Sequence, residues 1–282
     1  MNYKISHPTK VVECEIDLPA SKSISNRLLI IQALCKQEFA ITNLSSSEDT
    51  KSLQKALKAT KVTIDVGAAG TSFRFLTAYL STLVGNKFIL TGSNRMKERP
   101  IKELVDALLD LGIEIKYLEK SGFPPLVILG AEITENKVSI DGQISSQFIS
   151  ALLLIAPTLK NGLKLQISGK IVSKPYIIMT LKLMEEFGIS HTWLENTIEI
   201  KPQKYSAKDY NIEADWSAAS FWYEIAALCS SCNITLNGLT ENSIQGDRKV
   251  MELFKNLGVQ TKFKNGSIIL SKEKENDISK EI

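Results

Sequence analysis

Residues 108–117 read Leu-Leu-Asp-Leu-Gly-Ile-Glu-Ile-Lys-Tyr, a helical apolar pattern that ends at Gly112 and passes directly into an alternating pattern. Glycine is common just past a helix because it adopts the left-handed backbone conformation without strain. Alternation of apolar and polar residues is typical of a strand with one buried face. The same junction recurs at Gly188 and Gly258. A helix-to-strand unit is therefore repeated along the chain.

The repeat predicts an α/β protein built of short units. Pro100 and Pro175 favour helix starts, and Asp49 is a suitable cap for a helix that follows it. Strand pairs follow the helices, which favours mixed sheets over the all-parallel sheet of a doubly wound fold. A domain boundary is expected near residue 205. Helices are predicted over 50–57, 71–83, 101–111, 146–155, 176–187, 217–228 and 248–257, and strands over 87–91, 126–129, 137–140, 164–168, 197–201 and 234–237.

The composition argues against two kinds of partner. The chain has 282 residues, 44% hydrophobic and 23% charged, enough for one large domain or two smaller ones. Its net charge of +3 is too balanced for nucleic-acid binding by bulk charge. The first residues lack the apolar core of a signal peptide, and the apolar run at 151–157 is far too short to span a membrane. We therefore expect a cytoplasmic protein with neither a nucleic-acid nor a membrane partner.

Cysteine spacing leaves two interpretations. Cys229 and Cys232 form a C-x-x-C pair, which can indicate zinc or redox chemistry. A zinc site needs further ligands, but the other two cysteines stand alone in the sequence and the chain has only two histidines. We expect no metal, and expect Cys229 to end the helix over 217–228 as a small buried residue.

Residues 19–27 read Pro-Ala-Ser-Lys-Ser-Ile-Ser-Asn-Arg and lie between an alternating strand pattern and an apolar helical pattern. They therefore fall at a helix N-terminus, where free backbone N–H groups and the helix dipole favour phosphate or carboxylate. Ser23 and Arg27, four residues apart, share a helix face. Alternatively, a serine only caps the helix, and Lys22 and Arg27 are surface charges.

Similar residues mark four further helix starts. Residues 67–74 form a glycine-rich turn that ends in an arginine, and 92–100 place three cations before a proline. Residues 141–147 bring two hydroxyls and an amide to a helix start, and 173–176 read Ser-Lys-Pro-Tyr. Helix capping alone does not require hydroxyl, amide and cationic residues at so many helix starts. We predict that they converge on one cleft that holds a polyanionic substrate or two anionic substrates.

These motifs carry a family resemblance. Ser-Lys-Ser-Ile-Ser-Asn-Arg, Ala-Gly-Thr-x-x-Arg, Arg-Met-Lys-Glu-Arg-Pro, Ser-Ser-Gln and Ser-Lys-Pro-Tyr resemble, in order and spacing, those of the 5-enolpyruvylshikimate-3-phosphate synthase family. They stand at 21–27, 69–74, 95–100, 145–147 and 173–176. Two later segments, 214–220 and 245–247, are also similar to family motifs, so the resemblance runs from about residue 18 to about residue 257.

The resemblance implies an enolpyruvyl-transferase-like fold, in which repeated βαβαββ units form two lobes. Residues 21–205 are then a complete lobe with the shikimate 3-phosphate contacts, and 1–20 plus 206–282 are a partial second lobe. The family's second lobe continues well past position 282 and supplies an acidic general base. We therefore expect a C-terminally truncated chain with little or no activity of its own. The segment between 49 and 67 is shorter than in many relatives, so some strands of that unit are expected to be missing.

The implied reaction transfers the enolpyruvyl group of phosphoenolpyruvate to the 5-hydroxyl of shikimate 3-phosphate and releases phosphate, a step toward chorismate and the aromatic amino acids. No metal or organic cofactor is implied. The implied partners are small anionic substrates, and the full-length family is expected to be monomeric.

The resemblance also implies roles for individual residues. Lys22 matches a group beside both substrates and is the implied catalytic residue, a proton donor to the substrate methylene. The implied shikimate 3-phosphate contacts are Lys22, Ser23, Arg27, Ser145, Ser146, Gln147, Ser173 and Tyr176. The implied phosphoenolpyruvate contacts are Lys22, Gly70, Arg99 and Gln147.

Two other functions are compatible with the sequence. One is the related enolpyruvyl transferase that acts on UDP-N-acetylglucosamine, although residues 92–100 lack the loop cysteine usual there. The other is a non-catalytic, anion-binding fragment. Competition between the two substrates for the protein separates the first from the main hypothesis.

Overall fold

The structure is a computed structural model and describes residues 8–272. The remainder of the charged C-terminal segment, from position 273 onward, lies outside the described residues, as do residues 1–7. Parts of the predicted second lobe therefore fall outside the structural description.

Helices and strands alternate along the chain. The helices are α1 (Lys22–Leu34), α2 (Glu48–Leu57), α3 (Gly70–Ser81), α4 (Asn94–Lys97), α5 (Lys102–Asp110), α6 (Ser146–Ile155), α7 (Lys174–Glu186), α8 (Trp216–Leu228) and α9 (Val250–Lys255). The strands are β1 (Val11–Asp17), β2 (Ile41–Thr42), β3 (Thr63–Asp65), β4 (Lys87–Thr91), β5 (Glu114–Tyr117), β6 (Leu126–Leu129), β7 (Lys137–Asp141), β8 (Leu163–Ser168), β9 (Thr192–Leu194), β10 (Thr197–Ile200), β11 (Tyr210–Asn211), β12 (Ser231–Asn237), β13 (Gln260–Lys264) and β14 (Ser267–Lys272).

Local sequence explains where several elements begin and end. Gly112, Gly188 and Gly258 have φ angles of 88°, 84° and 82°, the left-handed conformation that was predicted for them. The prediction that Asp49 caps its own helix is wrong. Ser47 is the N-cap, because its side chain accepts the backbone N–H of Thr50, and α2 therefore begins at Glu48.

Three four-stranded sheets have the same construction. Their strand orders are β1-β12-β14-β13, β3-β4-β6-β5 and β7-β8-β10-β9. In each sheet the first two strands are parallel and the later pairs are antiparallel. From β7 to β10 the helices and strands follow the order β-α-β-α-β-β, and from β3 to β6 they follow the same order with the short helix α4 added before α5. The mixed sheets and the repeated unit are thus both present.

The chain divides into two compact units. The central unit comprises Lys22–Asn211, and the terminal unit comprises Met1–Ser21 and Ile212–Ile282. The central unit extends past the predicted boundary at 205 because β11 pairs with β2. That two-stranded sheet is much smaller than the other sheets.

Within the central unit, α1, α3, α6 and α7 pack against one another. Helix α6 is buried along nearly its whole length, and α1 is buried over a run of eight residues that includes Ile24 and Leu28. Helices that are apolar on most faces form the interior of a protein. These helices therefore lie under the surrounding sheets and loops, and their ends are fixed by tight packing.

In the terminal unit, α8 packs against β12 and β14 around the buried rings of Trp216 and Tyr223. Cys229 is buried and caps the C-terminus of α8, as predicted. None of the helices within residues 8–272 is long and apolar enough to cross a membrane.

Candidate functional site

Hydrogen bonds connect the N-terminal halves of four helices in the central unit. Nε2 of Gln147, at the start of α6, donates to Oγ1 of Thr71, at the start of α3, over 3.3 Å. Nη2 of Arg27, in α1, donates to the carbonyl oxygen of Tyr176, at the start of α7, over 3.3 Å. The same nitrogen donates to Oγ of Ser150 in α6. The structure therefore brings together the helix N-termini on which the predicted site residues stand.

Arg27 is the most buried of the predicted ligands, with 3% of its surface exposed. Nε donates to Oγ1 of Thr180 over 2.7 Å, and Nη1 donates to the carbonyl oxygen of Ser23 over 2.9 Å. Together with the bonds to Ser150 and Tyr176, these fix the guanidinium between α1, α6 and α7. Arg27 therefore holds together the three helices on which several predicted site residues stand.

Burial makes the charged form of Arg27 less favourable than it would be in water. Burial lowers its pKa to about 10, and the nearby Tyr176 offsets part of that change. The guanidinium remains protonated at neutral pH. Its hydrogen-bond acceptors are neutral hydroxyl and carbonyl oxygens, and no carboxylate within residues 8–272 forms an ion pair with it. An anion bound nearby is therefore favoured electrostatically.

Gly70, the first residue of α3, lies directly against Arg99. A Cβ built on Gly70 would overlap the guanidinium of Arg99, with Nη1 as the nearest atom. Only glycine leaves this space open. In the described part of the chain, the side chain of Arg99 has no hydrogen-bond or ion-pair partner, and it is half-buried. A cation beside a helix N-terminus is a suitable arrangement for phosphate or carboxylate.

The start of α6 combines exposed and buried groups. Ser145 is exposed and is the N-cap, and its hydroxyl accepts the backbone N–H of Gln147 over 3.3 Å. Ser146 is 7% exposed. Gln147 is held by Thr71, as described above. Two serine hydroxyls and the side-chain amide of Gln147 therefore stand within one helical turn.

Ser173, which precedes α7, has an unusual backbone. Its φ of 60° and ψ of 31° place it in the left-handed region, which is unfavourable for a residue other than glycine. Its side chain makes no capping hydrogen bond, and the residue is exposed. Strained backbone of this kind clusters at functional sites. Tyr176, one turn later, is half-buried.

Lys22 and Ser23 form the first turn of α1, and both are half-buried. A cation at a helix N-terminus is opposed by the positive end of the helix dipole. The position of Lys22 is therefore favourable only when negative charge is close to it.

The sequence motifs did not predict three residues that support this site. Thr180 and Ser150 hold Arg27, and Asp49 holds the start of α3. Oδ1 of Asp49 accepts the backbone N–H of Thr71 over 3.2 Å, and its carbonyl oxygen accepts Oγ of Ser72 over 2.6 Å. For Ser150 and Thr180, the available signal was a polar residue on a largely apolar helix.

Other features of the molecule lie apart from the predicted ligands. A cavity of about 380 Å³ lies at the C-terminal ends of α1 and α6, and none of the predicted site residues lines it. Within residues 8–272, no cluster of three or more histidine, cysteine or acidic side chains could hold a metal ion. Burial raises the pKa of the thiols of Cys229 and Cys232.

The fold and the linked helix N-termini define an α/β protein built of repeated βαβαββ units with mixed sheets. The family model described as EPSP synthase (3-phosphoshikimate 1-carboxyvinyltransferase) matches residues 6–66 and 55–282. The chain belongs to this family.

Curated relatives agree with that assignment, and a solved structure shows the same fold. The 3-phosphoshikimate 1-carboxyvinyltransferase of Bacteroides fragilis (strain YCH46) is 50% identical over 273 residues, which cover 96% of this chain and 66% of that protein. Its counterpart from Haemophilus influenzae (strain PittEE) is 39% identical over 90% of this chain and 65% of its own length. The chain thus spans about two thirds of the length of these relatives. EPSP synthase from Acinetobacter baumannii has the same fold, with a TM-score of 0.74 over 92% of this chain and 64% of that one, at 20% identity.

Proposed function

We propose that the protein transfers the enolpyruvyl group of phosphoenolpyruvate to the 5-hydroxyl of shikimate 3-phosphate and releases phosphate. Membership of the EPSP synthase family supports this proposal, as do the names of the relatives. The proposal rests mainly on the position of the Arg99 guanidinium, which lies against Gly70 and has no protein partner in the described residues. Such a guanidinium beside a helix N-terminus is suited to the phosphate or carboxylate of phosphoenolpyruvate.

In this proposal, shikimate 3-phosphate binds to the first turns of α1, α6 and α7. Ser23, Ser145, Ser146 and Ser173 offer hydroxyl groups at those positions, and Tyr176 offers a phenol. Arg27 supplies positive charge beneath them and keeps the helices in register. Several neutral donors above one buried cation can bind an anion without a surface ion pair.

Phosphoenolpyruvate binds, in the same proposal, at the start of α3. Gly70 leaves space at the first turn of α3 and Arg99 provides a guanidinium beside it, while Gln147 donates a hydrogen bond to the neighbouring Thr71. Lys22 faces both substrates from the first turn of α1. The two anions are then held side by side, which lowers the entropic cost of their reaction.

The proposed chemistry is addition followed by elimination. The 5-hydroxyl oxygen attacks C2 of phosphoenolpyruvate and releases its proton to solvent, while Lys22 donates a proton to the methylene carbon, so that the carbon becomes a methyl group. The neutral Lys22 amine then takes a proton back from that methyl group as the C–O bond to phosphate breaks, which restores the double bond and releases phosphate. A positioned ammonium group is a suitable acid for the first step because it stands near two anions.

Phosphate release with both substrates tests the proposed activity. Lys22→Gln is expected to lower the rate by about 10²-fold or more, as is typical for loss of a general acid. Lys182→Gln, at an exposed position of α7, is the matched control and leaves the rate unchanged. Full activity of the Lys22→Gln protein would contradict the assigned role.

Thermal stabilisation of the 282-residue protein tests substrate identity separately from turnover. Shikimate 3-phosphate is expected to raise the unfolding temperature, and UDP-N-acetylglucosamine is not. The reverse result would favour the related transferase instead.

A further inference from the structure

Arg74, in the second turn of α3, joins the two halves of the proposed phosphoenolpyruvate site. Nη1 donates to the carbonyl oxygen of Gly70 over 3.1 Å, and Nη2 donates to the carbonyl oxygen of Pro100 over 3.0 Å. Nη1 also approaches Sδ of Met96 at 3.3 Å. One guanidinium therefore connects Gly70 with the residue that directly follows Arg99.

The two hydrogen bonds of Arg74 hold the backbone on both sides of the Arg99 guanidinium. The Arg99 side chain has no hydrogen-bond or ion-pair partner of its own among residues 8–272, yet its guanidinium lies against Gly70. What restrains it is the backbone on either side, and Arg74 fixes that backbone through the Pro100 carbonyl. The hydrogen bond from Arg74 to the carbonyl oxygen of Gly70 fixes the first turn of α3, which forms the other side of the proposed phosphoenolpyruvate site.

Arg74 is suited to this task for reasons specific to arginine. It is 3% exposed, and its guanidinium lies 5.9 Å from the ring of Phe148 in α6. A planar guanidinium can donate to two carbonyl groups at once, whereas the ammonium of lysine is a compact point donor on a flexible stem.

The charge of Arg74 also bears on anion binding. Burial and the neighbouring charge of Arg99 lower its pKa to about 10, and Asp49 offsets part of that change. Arg74 therefore stays protonated at neutral pH. Two adjacent guanidiniums repel each other, and an anion bound between Gly70 and Arg99 relieves that repulsion.

We propose that Arg74 is a positioning residue that holds Arg99 against the N-terminus of α3 and thereby sets the affinity for phosphoenolpyruvate. The inference rests on the proposed function, since that function assigns phosphoenolpyruvate to Gly70 and Arg99. Arg74 itself is buried and acts through Arg99.

A double-mutant cycle tests this inference. Arg74→Lys is expected to weaken phosphoenolpyruvate binding by about tenfold, the size of one lost hydrogen bond to a charged group. Shikimate 3-phosphate binding changes by less than about twofold, because its proposed contacts lie on α1, α6 and α7. In an Arg99→Ala background, Arg74→Lys has no further effect on phosphoenolpyruvate binding. A merely structural role would weaken binding of both substrates and give independent, additive effects, which would overturn the proposal.

A measurement without substrate separates this inference from the proposed function. The side-chain Nε–H resonance of Arg99, followed by NMR, is expected to move toward that of the exposed Arg95 when Arg74 becomes lysine. An unchanged Arg99 resonance overturns the positioning role even if both substrates bind. A shifted resonance in a protein that does not bind phosphoenolpyruvate supports the positioning role and contradicts the proposed function.

Two further variants keep the test decisive. If Arg74→Lys does not fold, Arg74→Gln takes its place, because it removes the buried charge and the bridge together. Arg95→Lys is the matched control, since Arg95 is exposed on α4 and its one ion-pair partner among the described residues is the exposed Glu98. It is expected to leave the Arg99 resonance and both affinities unchanged.

Discussion

The guanidinium of Arg99 occupies the space that any side chain at Gly70 would need. Arg99 and Gly70 are 29 positions apart in sequence (99 − 70) and belong to the same compact unit. The glycine is therefore required by a neighbouring side chain, and its own backbone conformation does not require it.

Gly70→Ala is expected to displace Arg99 and to weaken phosphoenolpyruvate binding by about tenfold or more, since a charge-assisted hydrogen bond contributes about 1.5–3 kcal/mol. The free energy of unfolding should not fall, because alanine is favoured over glycine in a helix by up to about 1 kcal/mol. Isothermal titration and urea denaturation measure the two quantities. In an Arg99→Ala background the Gly70→Ala change should have little further effect on binding, and a full additional loss would contradict the steric explanation.

Thr180→Val is expected to destabilise the protein by about 1–3 kcal/mol, because it leaves the Nε–H of the buried Arg27 without its acceptor at 2.7 Å. Valine has nearly the same shape as threonine, so the loss of the hydroxyl is the main change. The free energy of unfolding in urea measures it. Thr192→Val, at an exposed position in β9, is the control and should change stability by less than about 0.5 kcal/mol.

Ser173 can be tested with two substitutions that differ only in backbone strain. Ser173→Ala and Ser173→Gly both remove the hydroxyl, so each is expected to weaken shikimate 3-phosphate binding by about fivefold to tenfold. Ser173→Gly should be more stable than Ser173→Ala by about 1 kcal/mol, because only glycine adopts the φ of 60° freely. Unchanged affinity in both variants would show that the hydroxyl is not a ligand.

Tyr117→Phe is expected to alter the alkaline stability of the protein. Burial, together with Asp106 and Glu103, raises the pKa of Tyr117 from 10.0 to about 12. Since the unfolded state releases this proton at lower pH than the folded state, stability falls as pH rises from 10 to 12. Phenylalanine cannot ionise and should make that decline shallower. Denaturation curves at several pH values measure the slope, and parallel slopes would contradict the assignment.

The same substitution has an expected effect at neutral pH. The hydroxyl of Tyr117 is buried and has no hydrogen-bond partner among the described residues. Removal of an unsatisfied buried hydroxyl should leave stability unchanged or raise it by about 1 kcal/mol. A clear loss of stability would show that the hydroxyl has a partner in solution.

Much of the fold follows from local sequence. Strands β4 and β6 and helix α6 have the predicted bounds, 87–91, 126–129 and 146–155. Periodicity, capping residues and terminal glycines act within a few residues, so they can be recognised in a single sequence. The structure differs from the prediction where two nearby residues could both cap the same helix. Ser47 caps α2 in place of Asp49, whose carboxylate instead accepts a hydrogen bond from α3.

By itself, the sequence determined the repeated junction of helix, glycine and strand, and the helix starts on which Lys22, Gly70, Gln147 and Ser173 stand, because those features depend on local spacing. Only the tertiary structure decided which of these groups are held by protein and which face open space. The hydrogen bonds of Arg27 to Ser150 and Thr180 span 123 and 153 positions of sequence. Local patterns cannot show that Arg27 is enclosed by neutral acceptors, or that the Arg99 guanidinium lies beside Gly70 with no partner among residues 8–272, since packing between distant segments decides both.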